Sequence, residues 1–230
     1  MTNTDEQIRL NKFLAERIGI SRREADDAIS GGGVSVNGIT ALLGARIDKN
    51  SKVCYNGKVV PFAASYTYLA LNKPTGYVCS RKRQGETPTL YELLPQEYQS
   101  LKTVGRLDKD SCGLILLTND GDFAFEMTHP KFVKQKVYVV KLDHELAPLH
   151  QQMISEYGIN LPDGVSKLQL SRLNDNNRTE WRVGMSEGRN RQIRRTFAAL
   201  GYKVIYLERK QFGKYQLSGL KPGDFVEIPR

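Results

Sequence analysis

The stretch "VGRLDKDSCGLILLTNDGDF", Val104–Phe123, joins a loop dense in charge to an apolar run. Arg106, Asp108, Lys109 and Asp110 fall within five positions, with glycines at 105 and 113, and "LILLT" follows at once. A loop that only reverses the chain uses Gly, Asn or Pro. This one either binds a cation, or is a solvated turn, or holds a reacting carboxylate. The apolar run reads as a buried strand, so the charged loop is mounted on a core element.

The cation reading fails on position. "DKDSCG" opens like an EF-hand loop, but the fifth position is Cys112 and the twelfth is Asn119, where a bidentate Glu is required. A nucleophile elbow around Ser111 fails too, because its first glycine would stand at Lys109. A solvated turn held by Arg106–Asp108 or Asp108–Lys109 pairs is the plain structural alternative, and such surface pairs contribute only ~0–1 kcal/mol. The third reading needs a permanent cation, because burial against a flat substrate would otherwise neutralise the carboxylate. The segment "SEGRNRQIRRTFAALG" supplies candidates in Arg189, Arg191, Arg194 and Arg195. With Asn190 as N-cap, Ile193, Phe197 and Leu200 face the core. Arg194 then lies beside that stripe, while Arg191 and Arg195 share another face suited to phosphates.

The chain has 230 residues, a formal charge of +9 and 40% hydrophobic residues. That length fits one large domain, or a small one joined to a larger. The basic surplus, with a pI near 9.4, favours a polyanionic partner. No apolar run approaches the ~18 residues of a membrane span, and "MTNTDEQIRLNKF" has no apolar signal core, so a cytoplasmic location is expected. Cys54, Cys79 and Cys112 are few, odd in number and far apart, which argues for a reducing compartment. His129, His144 and His150 form no HxxxH or HxH cluster, so a histidine-based metal site is not expected.

Residues 7–60 read as a small module of two short helices followed by small strands. Leu10, Phe13, Leu14 and Ile18 keep helical spacing, and Gly19 marks the stop. Ser21 and Glu24 fit a capping box that opens a second helix over Ala25, Ala28 and Ile29. "VSVNGI" and "VCYNGKVV" each carry the Asn-Gly hairpin signal. Residues 61–66 read as a linker. Residues 67–230 alternate strands and short helices irregularly, which predicts an α+β domain on a mixed, mainly antiparallel sheet. Strands are expected at Tyr68–Leu71, Leu114–Thr118, Val137–Leu142, Lys167–Arg172, Trp181–Met185, Val204–Glu208 and Phe225–Ile228. Helices are expected at Gly121–Met127, Glu145–Tyr157 and Asn190–Leu200.

"RLNKFLAERIGISRREADDAISGGGVSVNG" resembles the S4 RNA-binding domain. The resemblance implies that Arg9, Asn11, Lys12, Ser21, Arg22, Arg23 and Asn37 line an RNA-contacting face. Over nearly the whole chain, "LNKPTGYVCS" at 71–80, "GRLDKDSCGLILLTNDG" at 105–121, "KVYVV" at 136–140 and "EGRNRQIRR" at 187–195 resemble, in order, the motifs of pseudouridine synthases that modify ribosomal RNA and carry an S4 domain. That resemblance implies that Asp108 is the essential aspartate, that Tyr138 stacks on the target base and that Arg194 pairs with the aspartate. Arg106 is expected to help displace the target nucleotide or to hold its phosphates. Lys73, Lys136, Arg189, Asn190, Arg191, Gln192 and Arg195 are expected on the RNA side of the site.

The implied reaction breaks the C1′–N1 bond of uridine, turns the uracil and rejoins it through C5, and it calls for no cofactor. The implied partner is ribosomal RNA or a pre-ribosomal particle, with no membrane and a monomeric enzyme. The S4 helices and "SRREAD" lean toward large-subunit RNA. The competing expectations are a non-catalytic S4-bearing assembly factor and a metal-dependent hydrolase using Asp108 and Asp110.

Overall fold

The computed structural model describes residues 7–63 and 65–230. The "MTNTDE" start and residue 64 of the expected linker lie outside the described residues. The chain divides into two compact units. One holds the described residues up to Thr67 together with Asn119–Gly121, and the other holds Tyr68–Thr118 and Asp122–Arg230.

In the first unit, β1 (Ile8–Arg9) leads into α1 (Leu10–Arg17), and α2 (Arg22–Ser30) follows. The capping box forms as the spacing requires. Ser21 Oγ accepts from the Glu24 amide at 3.1 Å, and the Glu24 carboxylate accepts from the Ser21 amide at 2.6 Å. Such a cap is worth ~1 kcal/mol. Leu10, Phe13 and Leu14 of α1 and Ala25 and Ile29 of α2 are buried together, with Ala28 partly buried beside them. They pack on an antiparallel sheet in which β2 (Val34–Val36), β3 (Ile39–Thr40), β5 (Val53–Tyr55) and β6 (Lys58–Val60) run in the order β3-β2-β5-β6. A separate pair joins β1 to β4 (Arg46–Ile47). Both Asn-Gly pairs turn as expected, with φ of 53° and 82° at Asn37 and Gly38 and 47° and 77° at Asn56 and Gly57. Phe62, inside the stretch read as a linker, stacks 4.5 Å from Phe13, and its carbonyl accepts from Arg17 Nε at 3.0 Å.

The second unit is built on a nine-stranded sheet. Its strands are β7 (Tyr68–Lys73), β8 (Lys102–Val104), β9 (Cys112–Thr118), β10 (Lys136–Leu142), β13 (Gln169–Asn174), β14 (Asn177–Met185), β15 (Val204–Phe212), β16 (Tyr215–Gln216) and β17 (Phe225–Glu227). The main path is β13-β14-β10-β15-β9-β7-β17, with β8 on β9 and β16 on β15. Every pair is antiparallel except β9 with β15. A small hairpin of β11 (Ile159–Leu161) and β12 (Gly164–Ser166) stands apart.

The run "CGLILLT" is β9, and all seven residues are buried. Period-two alternation explains why both faces are apolar. Leu114 and Leu116 face a core with Phe123 and Met127 of α3 (Gly121–Thr128), while Ile115 and Leu117 face the larger core with Leu69, Leu71 and Phe197. Gly113 is demanded by close approach. Its φ is 99°, and a Cβ there would lie 2.4 Å from the Arg209 carbonyl oxygen where β9 begins to pair with β15.

Two helix expectations need correction. Glu145–Tyr157 becomes α4 (Pro148–Gln152) continued by a wide turn, Met153–Tyr157, because Pro148 takes the first helical position. Asn190 does not cap the arginine-rich helix. Helix α5 is Gln192–Ala198, and its N-cap is Arg191 in the left-handed region with φ 47°.

Candidate active site

The loop between β8 and β9 is fixed chiefly through its backbone. Lys73, at the end of β7, has no exposed surface. Its Nζ donates to the carbonyls of Pro74 at 3.0 Å, Asp108 at 3.2 Å and Ser111 at 2.7 Å. Burial pushes this ammonium below the usual lysine value. Cys79 Sγ accepts from the Leu107 amide at 3.3 Å and donates to its carbonyl at 3.2 Å. Gly76 N–H donates to the Lys109 carbonyl, and Lys109 Nζ reaches Thr87 Oγ1 at 2.9 Å. Arg194 Nη2 donates to the Asp110 carbonyl at 2.7 Å, while its Nη1 is held by the Val204 carbonyl at 2.7 Å. Burial lowers the Arg194 guanidinium from its ordinary value.

The two carboxylates of the loop have different company. Asp110 takes a bidentate pair from Arg191 at 2.9 Å for each bond, and Arg194 Nε lies 3.3 Å from it. The Arg191 hydrogen bonds hold its carboxyl below the usual carboxylate value. Among the described residues, Asp108 has one cation in ion-pair range, Arg191 Nη1 at 3.5 Å, and its side chain is 35% exposed. The expected Arg194–Asp108 pair is therefore corrected. Arg191 is the cation beside Asp108, and Arg194 grips Asp110 and the loop backbone. The left-handed N-cap at Arg191 turns this residue out of the helix and toward the loop, which helical spacing does not anticipate.

Asp108 opens on a cleft of about 500 Å³ that is also lined by Arg106, Tyr138, Lys136, Arg209 and the segment Ser186–Arg194. Tyr138 is 8% exposed. A register shift between Val137 and Tyr138 against β15 re-aims the strand at this point. Lys136 Nζ donates to the Glu187 carbonyl at 3.2 Å and lies over the Phe212 ring at 5.3 Å. Burial, and then the charge of Arg209, lower its pKa. Arg106 is exposed on the cleft wall.

Several residues expected on the RNA side are occupied within the protein. Lys73 is enclosed by carbonyls and presents nothing to a ligand. Gln192 is buried, bonded to Ser166 Oγ at 3.0 Å and to Glu187. Arg189 donates to the carbonyls of Asp163, Gly164 and Val165, and it pairs with the Asp163 carboxylate at 3.1 Å. Arg195 takes the other side of Asp163 at 2.7 Å. Both arginines thus pin the β11–β12 turn. Asn190 lines the cleft but makes no cap.

In the first unit, Arg9, Arg22 and Arg23 are exposed. Lys12 lies 3.9 Å from Glu16, Asn11 donates to the Asp26 carboxylate at 3.0 Å, and Ser21 is committed to its cap. Asn37 accepts from the Lys52 amide at 2.8 Å in its hairpin.

Sequence reasoning missed Arg209. It is 2% exposed, its Nε donates to the Leu114 carbonyl at 2.7 Å, and it lies opposite Tyr138 in the pairing of β15 with β10. The signal was the alternation itself, since Leu207 and Arg209 fall on one face of β15 and put a charge where an apolar residue belongs. Among the described residues, no helix is long and apolar enough to cross a membrane. No group of three or more His, Cys, Asp or Glu among them could hold a metal ion.

Residues 67–199 match the family described as RNA pseudouridylate synthase, and this chain belongs to that family. Residues 8–53 match the S4 domain. The chain is 37% identical to the ribosomal small subunit pseudouridine synthase A of Pasteurella multocida, covering 96% of each sequence. It is 35% identical to the ribosomal large subunit pseudouridine synthase B of Bacillus subtilis, covering 96% of this chain and 91% of that one. A crystal structure of a pseudouridylate synthase superposes with a TM-score of 0.69 at 32% identity, covering 96% of each chain.

Proposed function

We propose that this enzyme converts uridine to pseudouridine in ribosomal RNA, with Asp108 as the carboxylate that starts the reaction. The observation that carries the role of Asp108 is the division of the loop. Its backbone and Asp110 are anchored by Lys73, Arg191 and Arg194, while the Asp108 carboxylate keeps one longer contact and faces the cleft. A half-exposed anion at the lip of a cleft can either attack C1′ or take a proton from the ribose. Both routes release the uracil so that it can turn and rejoin through C5. Tyr138 is the platform for the flipped base, and stacking of this kind offsets part of the cost of unstacking, at ~1–3 kcal/mol per base. Arg106 meets the displaced strand.

Arg9, Arg22 and Arg23 of the first unit supply phosphate contacts, which give affinity and salt dependence. The domain boundaries we infer are an S4 domain over 7–60 and a catalytic domain over 67–230. We infer a monomer, and three free cysteines fit the cytoplasm.

The relatives' names divide between the two ribosomal subunits, so the test uses both RNAs. Small- and large-subunit transcripts and their assembly intermediates are incubated with wild type and with Asp108→Asn, and pseudouridine is mapped by mass spectrometry. One new pseudouridine with wild type and none with Asp108→Asn is expected. No product on any of these substrates would overturn the ribosomal assignment.

A further inference from the structure

The wall of the cleft continues onto an exposed surface that the reaction at Asp108 does not use. Between α3 and β10 the chain passes through a single turn, Pro130–Phe132, and then through Val133 at φ 47°, a conformation that β-branched residues rarely adopt. Thr128, His129, Pro130 and Lys134 line the cleft from inside. On the outside the same segment presents rings. Phe125 is 47% and Phe132 38% exposed, and they meet edge to face at 5.9 Å. His129 packs 4.6 Å from Phe125.

Cations border the rings. Lys131 Nζ lies 5.2 Å from the Phe125 ring and 4.7 Å from the Phe132 ring, and Lys134 Nζ lies 5.9 Å from Phe132. Lys134 also borders a second hollow of about 300 Å³ with Lys214, Arg230 and Glu126. Lys134 is thus one of three cationic side chains at that hollow, of which Lys214 is bonded to the Arg230 main-chain oxygen at 2.9 Å. Glu126 is already engaged with Lys134 at 2.7 Å, with Arg230 4.0 Å away.

Isolated surface aromatics need no explanation. A cluster of three rings that is edged by lysines and continuous with a substrate cleft does. Single-stranded RNA is bound by this combination, because every base offers a π-face and every linkage a phosphate. We propose that Phe125, His129 and Phe132 stack the unpaired nucleotides next to the target uridine, with Lys131 and Lys134 on their phosphates. The lysine ammonium groups lie against the rings in the free protein and move to the phosphates when bases take the ring faces. This deepens the reading of the chain as an enzyme acting on ribosomal RNA by locating the strand beside the reacting nucleotide.

The test uses synthetic unstructured RNA with one uridine and 2-aminopurine at successive flanking positions. It reads binding alone, so it stays decisive even if the natural substrate is another RNA. Wild type is expected to quench the fluorophore at one or two positions beside the uridine. Phe125→Ala/Phe132→Ala should lose that quenching and bind about five- to 150-fold more weakly. Phe125→Tyr/Phe132→Tyr should retain both. Lys131→Gln/Lys134→Gln should flatten the salt dependence by about 0.7 per lysine.

An unchanged quenching profile in the alanine variant would overturn the proposal, as would loss of quenching in the tyrosine variant. So would a defect of the alanine variant confined to protein-containing ribosomal particles, which would assign the surface to a protein partner.

Discussion

Lys73→Met isolates the anchoring of the aspartate loop, because methionine fills the lysine stem and deletes only the ammonium. Three hydrogen bonds are lost, to Pro74, Asp108 and Ser111. Bonds to a charged group contribute ~1.5–3 kcal/mol each, so the gross loss is about 5–9 kcal/mol. Against it stands the several kcal/mol that burying an ammonium costs. The Asp108 carbonyl also keeps the Ser111 amide at 3.1 Å. A net destabilisation of about 2–4 kcal/mol is expected, read as a lower urea midpoint at unchanged slope.

Turnover should fall more than stability suggests. The lost bonds fix the backbone on both sides of the carboxylate proposed to react, and a displacement of about 1 Å can cost about a hundred-fold in kcat. Affinity for RNA should change little. Burial lowers the folded-state pKa of Lys73 below its usual 10.5, so between that lowered value and 10.5 the unfolded chain binds the extra proton. Wild-type stability relative to Lys73→Met therefore rises with pH in that window. Equal urea midpoints and equal turnover for the two proteins would refute the anchoring role, and a stability loss with normal kcat would confine Lys73 to the fold.

Asp108→Asn should abolish pseudouridine formation and leave RNA affinity within a few-fold, measured by nucleoside mass spectrometry and filter binding; parallel loss of both would make Asp108 structural. For Asp110→Asn, the folded pKa of the wild-type carboxyl is lowered by Arg191, so its contribution is present above about pH 4 and fades as pH falls through the lowered value. With that side chain 47% exposed, the variant should lose only about 0–1 kcal/mol at pH 7 and progressively less as pH falls through the lowered value, and a deficit that does not shrink on acidification would refute the ion-pair account. Arg22→Glu/Arg23→Glu should weaken RNA binding and flatten its salt dependence while the second unit keeps its melting temperature; unchanged affinity would remove these arginines from the RNA face.

The readable parts of the sequence were those where side-chain pattern alone sets structure. "LILLT" had to be buried on both faces, and Ser21 with Glu24 had to start a helix. Asn37-Gly38 and Asn56-Gly57 had to reverse the chain. The errors fall where a side chain bonds to backbone. Lys73 is expected on the RNA side of the site, and nothing in residue types reveals that three carbonyls converge on it. Arg189 is spent in the same way on the β11–β12 turn. Arg191 escaped because helix periodicity assumes helical φ throughout, and a left-handed N-cap breaks the projection at the residue that carries the ion pairs.

The two carboxylates of the loop show why that backbone anchoring matters. A reactive carboxylate held by bidentate arginine bonds would be well positioned and poorly available, since its oxygens would already be engaged. Here the strong geometry is given to Asp110, which takes both bonds from Arg191 and the approach of Arg194 Nε. Lys73 and Arg194 hold the carbonyls of residues 108, 110 and 111. Asp108 is therefore fixed at its Cα and left with a single 3.5 Å contact to Arg191 at its carboxylate. The same guanidinium, shared between both aspartates, ties the position of Asp108 to its neighbour. The density of charge in "RLDKD" thus divides between an anchored carboxylate, Asp110, and an available one, Asp108, with only Lys109 between them.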